Sequence, residues 1–229
     1  MKKLPSLSVF YPSLNDSKIL PYLIYRTYQV LPKITKDFEV IVINDGSTDD
    51  TYEVLEHLKK MYKNFIPIHH KKNKGYGGAL ISGFNRSSKE WVFYTDGDGQ
   101  YDPTDLFLLL AKLEKNIDVV NGYKLDRLDG VLRKVVGTLY NAFLHKIHSL
   151  PISDVDCDFR LIKKNALNKI TLKSTSGMIC LELVMKLHET GAIFKEVGVN
   201  HYPRRFGKSQ FFNIRRINET LNLSPHMQH

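Results

Sequence analysis

Short apolar runs alternate with longer amphipathic ones through the first half of the chain. Leu7–Tyr11 reads as a strand and Ser17–Leu31 as a helix. Phe38–Asn44, in the order FEVIVIN, is nearly all apolar, as expected of a strand covered on both faces. Thr48–Tyr62 follows as a helix with acidic residues at its start, where the helix dipole favours them. Phe65–His70 and Trp91–Thr95 read as two more strands, with the helix Gly78–Ser87 between them. Thr104–Lys115 and Asp118–Tyr123 read as the next helix and strand. This order predicts the α/β class: a Rossmann-like three-layer sandwich with a mostly parallel central sheet.

The second half is less regular. Leu128, Val131, Leu132, Val135, Val136, Leu139, Tyr140, Phe143, Leu144 and Ile147 recur at three-to-four spacing, so Leu128–Ser149 reads as a helix, or two, with one broad apolar face. Arg127, Arg133, Lys134 and Lys146 accompany it. Core packing and a membrane-surface role both suit such a face. Gly177–Thr190 reads as a further helix carrying Glu182, and Ile214–His229 as a short amphipathic tail.

A chain of 229 residues has room for one large domain, expected over 1–212, with an appendage at 213–229. Hydrophobic residues at 42% and charged residues at 25% fit a folded protein rather than a disordered one. Lys and Arg exceed Asp and Glu by 33 to 24, and the net charge of +9 favours a polyanionic partner. The excess gathers at His69–Lys74, Arg204–Lys208 and Arg215–Arg216, each of which also reads as a solvated face. Cys157 and Cys180 are expected as reduced thiols in a cytoplasmic setting. No apolar run has membrane-spanning length, so any membrane contact is expected to be peripheral.

In such sheets ligands bind beyond the carboxyl ends of the strands. The segments there are Pro12–Asp16, Asp45–Asp49, Lys71–Gly77, Asp96–Pro103 and Lys124–Arg127, all rich in Asp, Gly, Asn and Lys. Asp96, Asp98 and Gln100 stand at alternate positions just after the strand WVFYT, and in extended chain such positions face one way. Hard oxygen donors of this kind suit Mg²⁺ or Mn²⁺ bridging a diphosphate. A plain Asp-Gly turn remains the other reading. A calcium loop is excluded, since Tyr101 and Phe107 occupy the places of its Gly and Glu. Gly75–Gly78 matches neither the P-loop nor the dinucleotide fingerprint, so neither an ATPase nor an NAD enzyme is supported.

Three stretches in order, Phe38–Thr51, Asn73–Ala79 and Asp96–Pro103, resemble the core of family-2 glycosyltransferases with the A-type fold, the nucleotide-diphospho-sugar transferase type. Asn121–Lys124, Asp154–Leu161 and the Arg204-x-x-Gly207-x-Ser209 spacing narrow the resemblance to polyprenyl-phosphate (dolichol-phosphate type) hexose synthases. In all it covers about residues 7 to 212. Leu14 and Asp16 replace the usual aromatic and Glu of the first loop, and Asp158 the common Gly before Phe159.

The resemblance implies a metal-dependent hexosyltransferase taking a UDP- or GDP-linked sugar, with Mg²⁺ or Mn²⁺ on Asp96, Asp98 and Gln100. Donor-binding residues would be Pro12, Leu14, Asp16, Asp45 at the base, Gly46, Ser47, Lys74, Gly75, Gly77, Asp96, Gly97, Asp98 and Lys124. Asp96, Asp98 and Arg204 would carry the chemistry. A lipid monophosphate is already anionic and needs cations rather than a general base. Arg127, Arg133, Lys134 and Arg204, with Ser209, are the candidates to grip it.

The expectation is therefore inverting transfer to a polyprenyl phosphate at the inner face of the cell membrane, with no nucleic-acid role. Asp154, Asp156 or Asp158 acting as base for a saccharide hydroxyl is the enzymatic alternative, and a non-catalytic basic binding module the other. Asp158 also reads as a partner of Arg160, and Glu182 as either structural or chemical.

Overall fold

The computed structural model describes residues 2–125 and 150–206. The helix read over Leu128–Ser149 and the tail Ile214–His229 lie outside these residues, as do Arg127, Arg133, Lys134 and Ser209.

The strands are β1 (Leu7–Ser13), β2 (Phe38–Asn44), β3 (Phe65–His69), β4 (Trp91–Thr95), β5 (Val119–Lys124), β6 (Phe159–Lys163) and β7 (Phe194–Val199). They form one seven-stranded sheet in the order β3-β2-β1-β4-β6-β5-β7. β1 runs parallel to β2 and β4, β2 to β3, and β5 to β7, while β6 is antiparallel to β4 and β5. The helices are α1 (Leu20–Ile34), α2 (Thr51–Met61), α3 (Gly75–Arg86), α4 (Leu106–Lys112), α5 (Lys164–Leu167) and α6 (Ile179–Glu189).

Alternation along each strand separates two cores. Val9, Tyr11, Val40, Val42 and Phe93 pack with Leu20, Leu23 and Ile24 of α1, Leu55 of α2 and Leu109 of α4. Phe10, Ile41, Ile43, Val92 and Tyr94 pack on the other face with Ala79, Leu80 and Phe84 of α3 and Ile179, Leu183 and Val184 of α6. Burying each large aliphatic side chain contributes roughly 1.5–3 kcal/mol. Apolar layers on both sides explain why FEVIVIN shows no polar face, and the expected three-layer α/β sandwich is the fold observed.

Several boundaries move. α1 starts at Leu20 rather than Ser17, with Pro21 in its first turn, where a missing N–H costs nothing. Thr104–Lys115 divides into a tight 3-10 turn, Pro103–Asp105, and the shorter α4; Asp102 caps the turn by accepting from the Thr104 amide. α3 begins at Gly75, earlier than the expected Gly78.

From β1 the chain crosses to β2 and then β3 on one side, and returns to β4 on the other. The direction of winding reverses between β1 and β4. The crevice beyond their carboxyl ends is the place in an open α/β sheet where ligands sit.

Candidate functional site

At that reversal the two strand ends are tied together. The Gly97 amide donates to the Pro12 carbonyl at 3.0 Å. A Cβ at Gly97 would lie 2.7 Å from that oxygen, so only glycine permits the approach. Asp96 and Asp98 therefore flank a fixed point. Gly99 then takes φ +74° over Ile19 and ends the extended path, so the alternation does not carry through to Gln100. The Gln100 amide donates to Asp98 Oδ1 at 3.0 Å, and its side-chain Nε2 to the Tyr202 carbonyl at 3.0 Å. Gln100 thus joins the carboxylate loop to the strap at 200–206.

Asp96 accepts from the Tyr76 hydroxyl at 2.8 Å. Its carboxyl is pushed well above the usual range by burial, and further by Asp158 and Asp98. Asp98 is pushed up to about 6, chiefly by burial, with the Gln100 amide and Arg204 pulling the other way. Burial thus disfavours the charged form of both carboxyls, and a divalent cation bound between them would favour it. Among the described residues no three or more His, Cys, Asp or Glu side chains cluster to hold a metal. Two carboxylates with phosphate oxygens and water completing an octahedral shell is how Mg²⁺ is commonly bound, and the donor set fits that.

Arg204 reaches the same loop from the far end of the chain. Its Nη2 donates to Asp16 Oδ1 at 2.7 Å, and its Nη1 lies 3.7 Å from Asp98 Oδ2. Asp16 is fixed by Ser13 Oγ at 3.2 Å and by the Leu14 amide at 3.1 Å. Burial nevertheless holds its carboxyl above the ordinary value, outweighing Arg204 and these donors.

Beyond β2, the Asp45 amide donates to the Ser13 carbonyl at 2.9 Å. Asp45 Oδ1 lies 2.6 Å from His70 Nδ1 and accepts the Lys74 amide at 2.8 Å. Gly46, at φ +72°, fits against Asn73, whose amide nitrogen would lie 2.6 Å from a Cβ there. Ser47 Oγ accepts the Asn15 amide at 2.9 Å, which joins the first two loops. Pro12 is buried and Leu14 half-buried beside them.

One reading needs correction, and one gains a second role. The run His69–Lys74 is not uniformly a solvated face: Lys71, Lys72 and Lys74 are exposed, but His70 is only 9% exposed and bridges Asp45 to Ser82 Oγ, 2.9 Å from its Nε2. Gly75 and Gly77 have a packing role that the motif did not reveal. The Gly77 amide donates to the Thr175 carbonyl at 2.9 Å, and Cβ atoms at Gly75 and Gly77 would lie 2.4 Å from Thr175 O and 2.1 Å from Ser174 O. Their small size lets the first turn of α3 lie on the 174–175 backbone.

Lys124, at the end of β5, donates Nζ to the Asp156 carbonyl at 3.0 Å. Burial draws its ammonium down, but Asp154, the Cys157 thiol, Asp156 and Asp158 raise it overall. Asp158 is 3.9 Å from Arg160, as the sequence suggested, and accepts from Tyr94 OH and Cys180 Sγ, each at 3.2 Å. Arg160 is fully buried and donates to Tyr94 OH at 2.7 Å, to Asn121 Oδ1 and to the Val155 carbonyl. Cys157 and Cys180 are free and buried. Glu182 accepts the backbone amides of Lys173 and Ser174 and the Lys186 ammonium, so it anchors the loop under α3.

Residues 8–171 match the family model for Glycosyl transferase family 2, and the matched stretch contains every strand-end loop just described except the Arg204 strap. The chain belongs to this glycosyltransferase family. Over 97% of its length it is 27% identical to undecaprenyl-phosphate 4-deoxy-4-formamido-L-arabinose transferase of Proteus mirabilis, covering 68% of that protein. It is 26% identical to the enzyme of the same name from Photorhabdus laumondii, with the same coverage. Among solved structures it resembles glucosyl-3-phosphoglycerate synthase of Mycobacterium tuberculosis in complex with Mn²⁺, UDP and phosphoglyceric acid, at TM-score 0.71 and 16% identity over 96% of this chain and 75% of that one. The same enzyme with Mg²⁺ and UDP aligns at TM-score 0.71 and 14% identity over 96% and 79%. At such identities the likeness concerns the fold. Among the described residues of this glycosyltransferase no helix is long and apolar enough to cross a membrane.

Proposed function

We propose that this glycosyltransferase moves a sugar, read from the sequence as a hexose, from a UDP- or GDP-linked donor to a polyprenyl phosphate, with inversion at the anomeric carbon. The observation that carries the reading is Arg204 reaching both Asp16 and Asp98, with Asp96 two residues before Asp98 on the loop after β4. Two carboxylates there suit a divalent cation, and a guanidinium beside them suits a phosphate. Such a cation, when bound, offsets charge developing on the leaving diphosphate.

The residues have separable tasks. Asp96 and Asp98 would hold the cation and so orient the diphosphate. Asp45, braced by His70 and the Lys74 amide, would meet the base of the donor, with Gly46 and Ser47 shaping the same wall. Arg204 would exchange its contacts with the two aspartates for phosphate oxygens, a bidentate arrangement that guanidinium favours. The acceptor phosphate attacks as an anion, so no side chain has to remove a proton from it. Arg127, Arg133, Lys134 and Ser209 are proposed for that acceptor from sequence alone.

The names of the two bacterial relatives support a lipid-phosphate acceptor, and with it contact with a membrane; the inner face is proposed from sequence alone. They carry a five-carbon sugar, so a donor panel should include aminopentose as well as hexose nucleotides. Asp158 is less suited to act as a base toward a saccharide, being engaged by Tyr94 and Cys180. The test is to incubate the protein with labelled nucleotide sugars, Mn²⁺ and a polyprenyl phosphate, and to partition the label. Label entering the organic phase is the expected result; label confined to water-soluble glycan would overturn the lipid reading.

A further inference from the structure

Asp96 belongs to the loop after β4, but the hydroxyl that touches it comes from a different element. Tyr76, the second residue of α3, donates to Asp96 Oδ1 at 2.8 Å. We propose that Tyr76 is the positioning residue for Asp96, and that Glu182 keeps Tyr76 in place by anchoring the loop on which the first turn of α3 rests. The proposal builds on the reading of Asp96 as a cation-facing carboxylate.

A carboxylate has two oxygens and a soft terminal torsion, so its direction is set by its donors. With Oδ1 committed to Tyr76, Oδ2, which accepts no hydrogen bond from a side chain among the described residues, is the oxygen to present to a cation. Outer partners of this kind orient ligands and tune affinity. The phenol supplies that donor, at 2.8 Å from Oδ1.

The position of Tyr76 depends on contacts on either side of it. Gly75 adopts φ +82°, and neither Gly75 nor Gly77 could carry a Cβ against the 174–175 backbone. The Gly77 amide donates to Thr175 O at 2.9 Å. That loop is itself held by Glu182, which accepts the Ser174 amide at 2.8 Å and the Lys173 amide at 3.0 Å. Lys186 completes the anchor with a 2.7 Å ion pair to Glu182. A continuous set of contacts thus runs from α6 through the 173–175 loop and the head of α3 to the carboxylate after β4.

The test measures Mn²⁺ affinity of the full chain in the presence of UDP or GDP, from the electron paramagnetic resonance signal of free Mn²⁺. Tyr76→Phe removes only the hydroxyl, and Mn²⁺ should bind about tenfold or more weakly, the usual effect of losing an outer-shell partner, with Tm within about 2 °C of the parent. Glu182→Gln acts one step further away and should weaken Mn²⁺ by about threefold, below that outer-shell range. It also serves as the readout if Tyr76→Phe does not fold. Affinity within about twofold of the parent in both variants would overturn the positioning role. A parent that binds no Mn²⁺ with either nucleotide would overturn the reading of Asp96 itself, and this inference with it.

Discussion

Arg204 donates to Asp16 at 2.7 Å across 188 residues of sequence. The pair closes the crevice between the first strand and the last described segment, and brings the guanidinium within 3.7 Å of Asp98. On the proposed function, this ion pair would give way when a phosphate competes for the guanidinium. Arg204→Ala should lower kcat about 100-fold or more, as loss of a preorganised charge does. Arg204→Lys should recover only part of this, since an ammonium cannot serve two oxygens in a fixed fork. Steady-state kinetics at saturating donor checks both.

His70 braces Asp45 from behind at 2.6 Å. His70→Ala removes a donor to a buried carboxylate, an interaction worth about 1.5–3 kcal/mol. The KM for the nucleotide sugar should rise about tenfold with kcat within about twofold, the pattern of lost ground-state binding. A fall in kcat alone would place His70 elsewhere in the account.

Glu182 should leave a signature in the pH dependence of stability. Burial raises its carboxyl, but Lys186 and the amides of Ser174 and Lys173 outweigh burial and hold it below the ordinary value of 4.5. A depressed carboxyl contributes stability that is fully present above its unfolded value and lost as pH falls through its folded one. Glu182→Gln should therefore cost about 1–3 kcal/mol near pH 7. The difference from the parent should shrink below about pH 4.5, where the parent carboxyl also takes up its proton. Urea melts across that range measure it.

Gly77→Ala places a Cβ 2.1 Å from the Ser174 carbonyl oxygen. Backbone cannot yield as a flexible side chain does, so the variant should lose about 1–3 kcal/mol, the cost of overpacking. The loss should appear without any nucleotide present. A variant of unchanged stability that fails only in nucleotide binding would show that Gly77 serves the donor rather than the packing.

Much of this was legible in the sequence, and for a physical reason. Phe38–Asn44 and Trp91–Thr95 are buried on both faces, so their apolar runs are unmistakable, and the loops after them hold Asp45, Asp96 and Asp98 as expected. β7, FKEVGV, is a half-exposed edge strand without a continuous apolar run, and nothing local marks it. His70 sits among lysines and looks solvated, because the Asp45 that buries it is 25 residues away. The head of α3 is rich in glycine, a poor helix former, and starts early only because the 174–175 backbone supports it. Nothing local marks Tyr76 either, because its partner Asp96 is brought near by the sheet, not by spacing.

Asp98, beside Asp96 at the β1/β4 reversal, is proposed to hold the cation on which transfer depends. The direct measurement is sugar transfer by Asp98→Ala with saturating Mn²⁺, alongside its thermal melt. The variant should be as stable as the parent within about 1 kcal/mol, with activity lower by at least about 1000-fold, near the limit seen for single electrostatic groups. Parent-like transfer by a folded Asp98→Ala protein would contradict it.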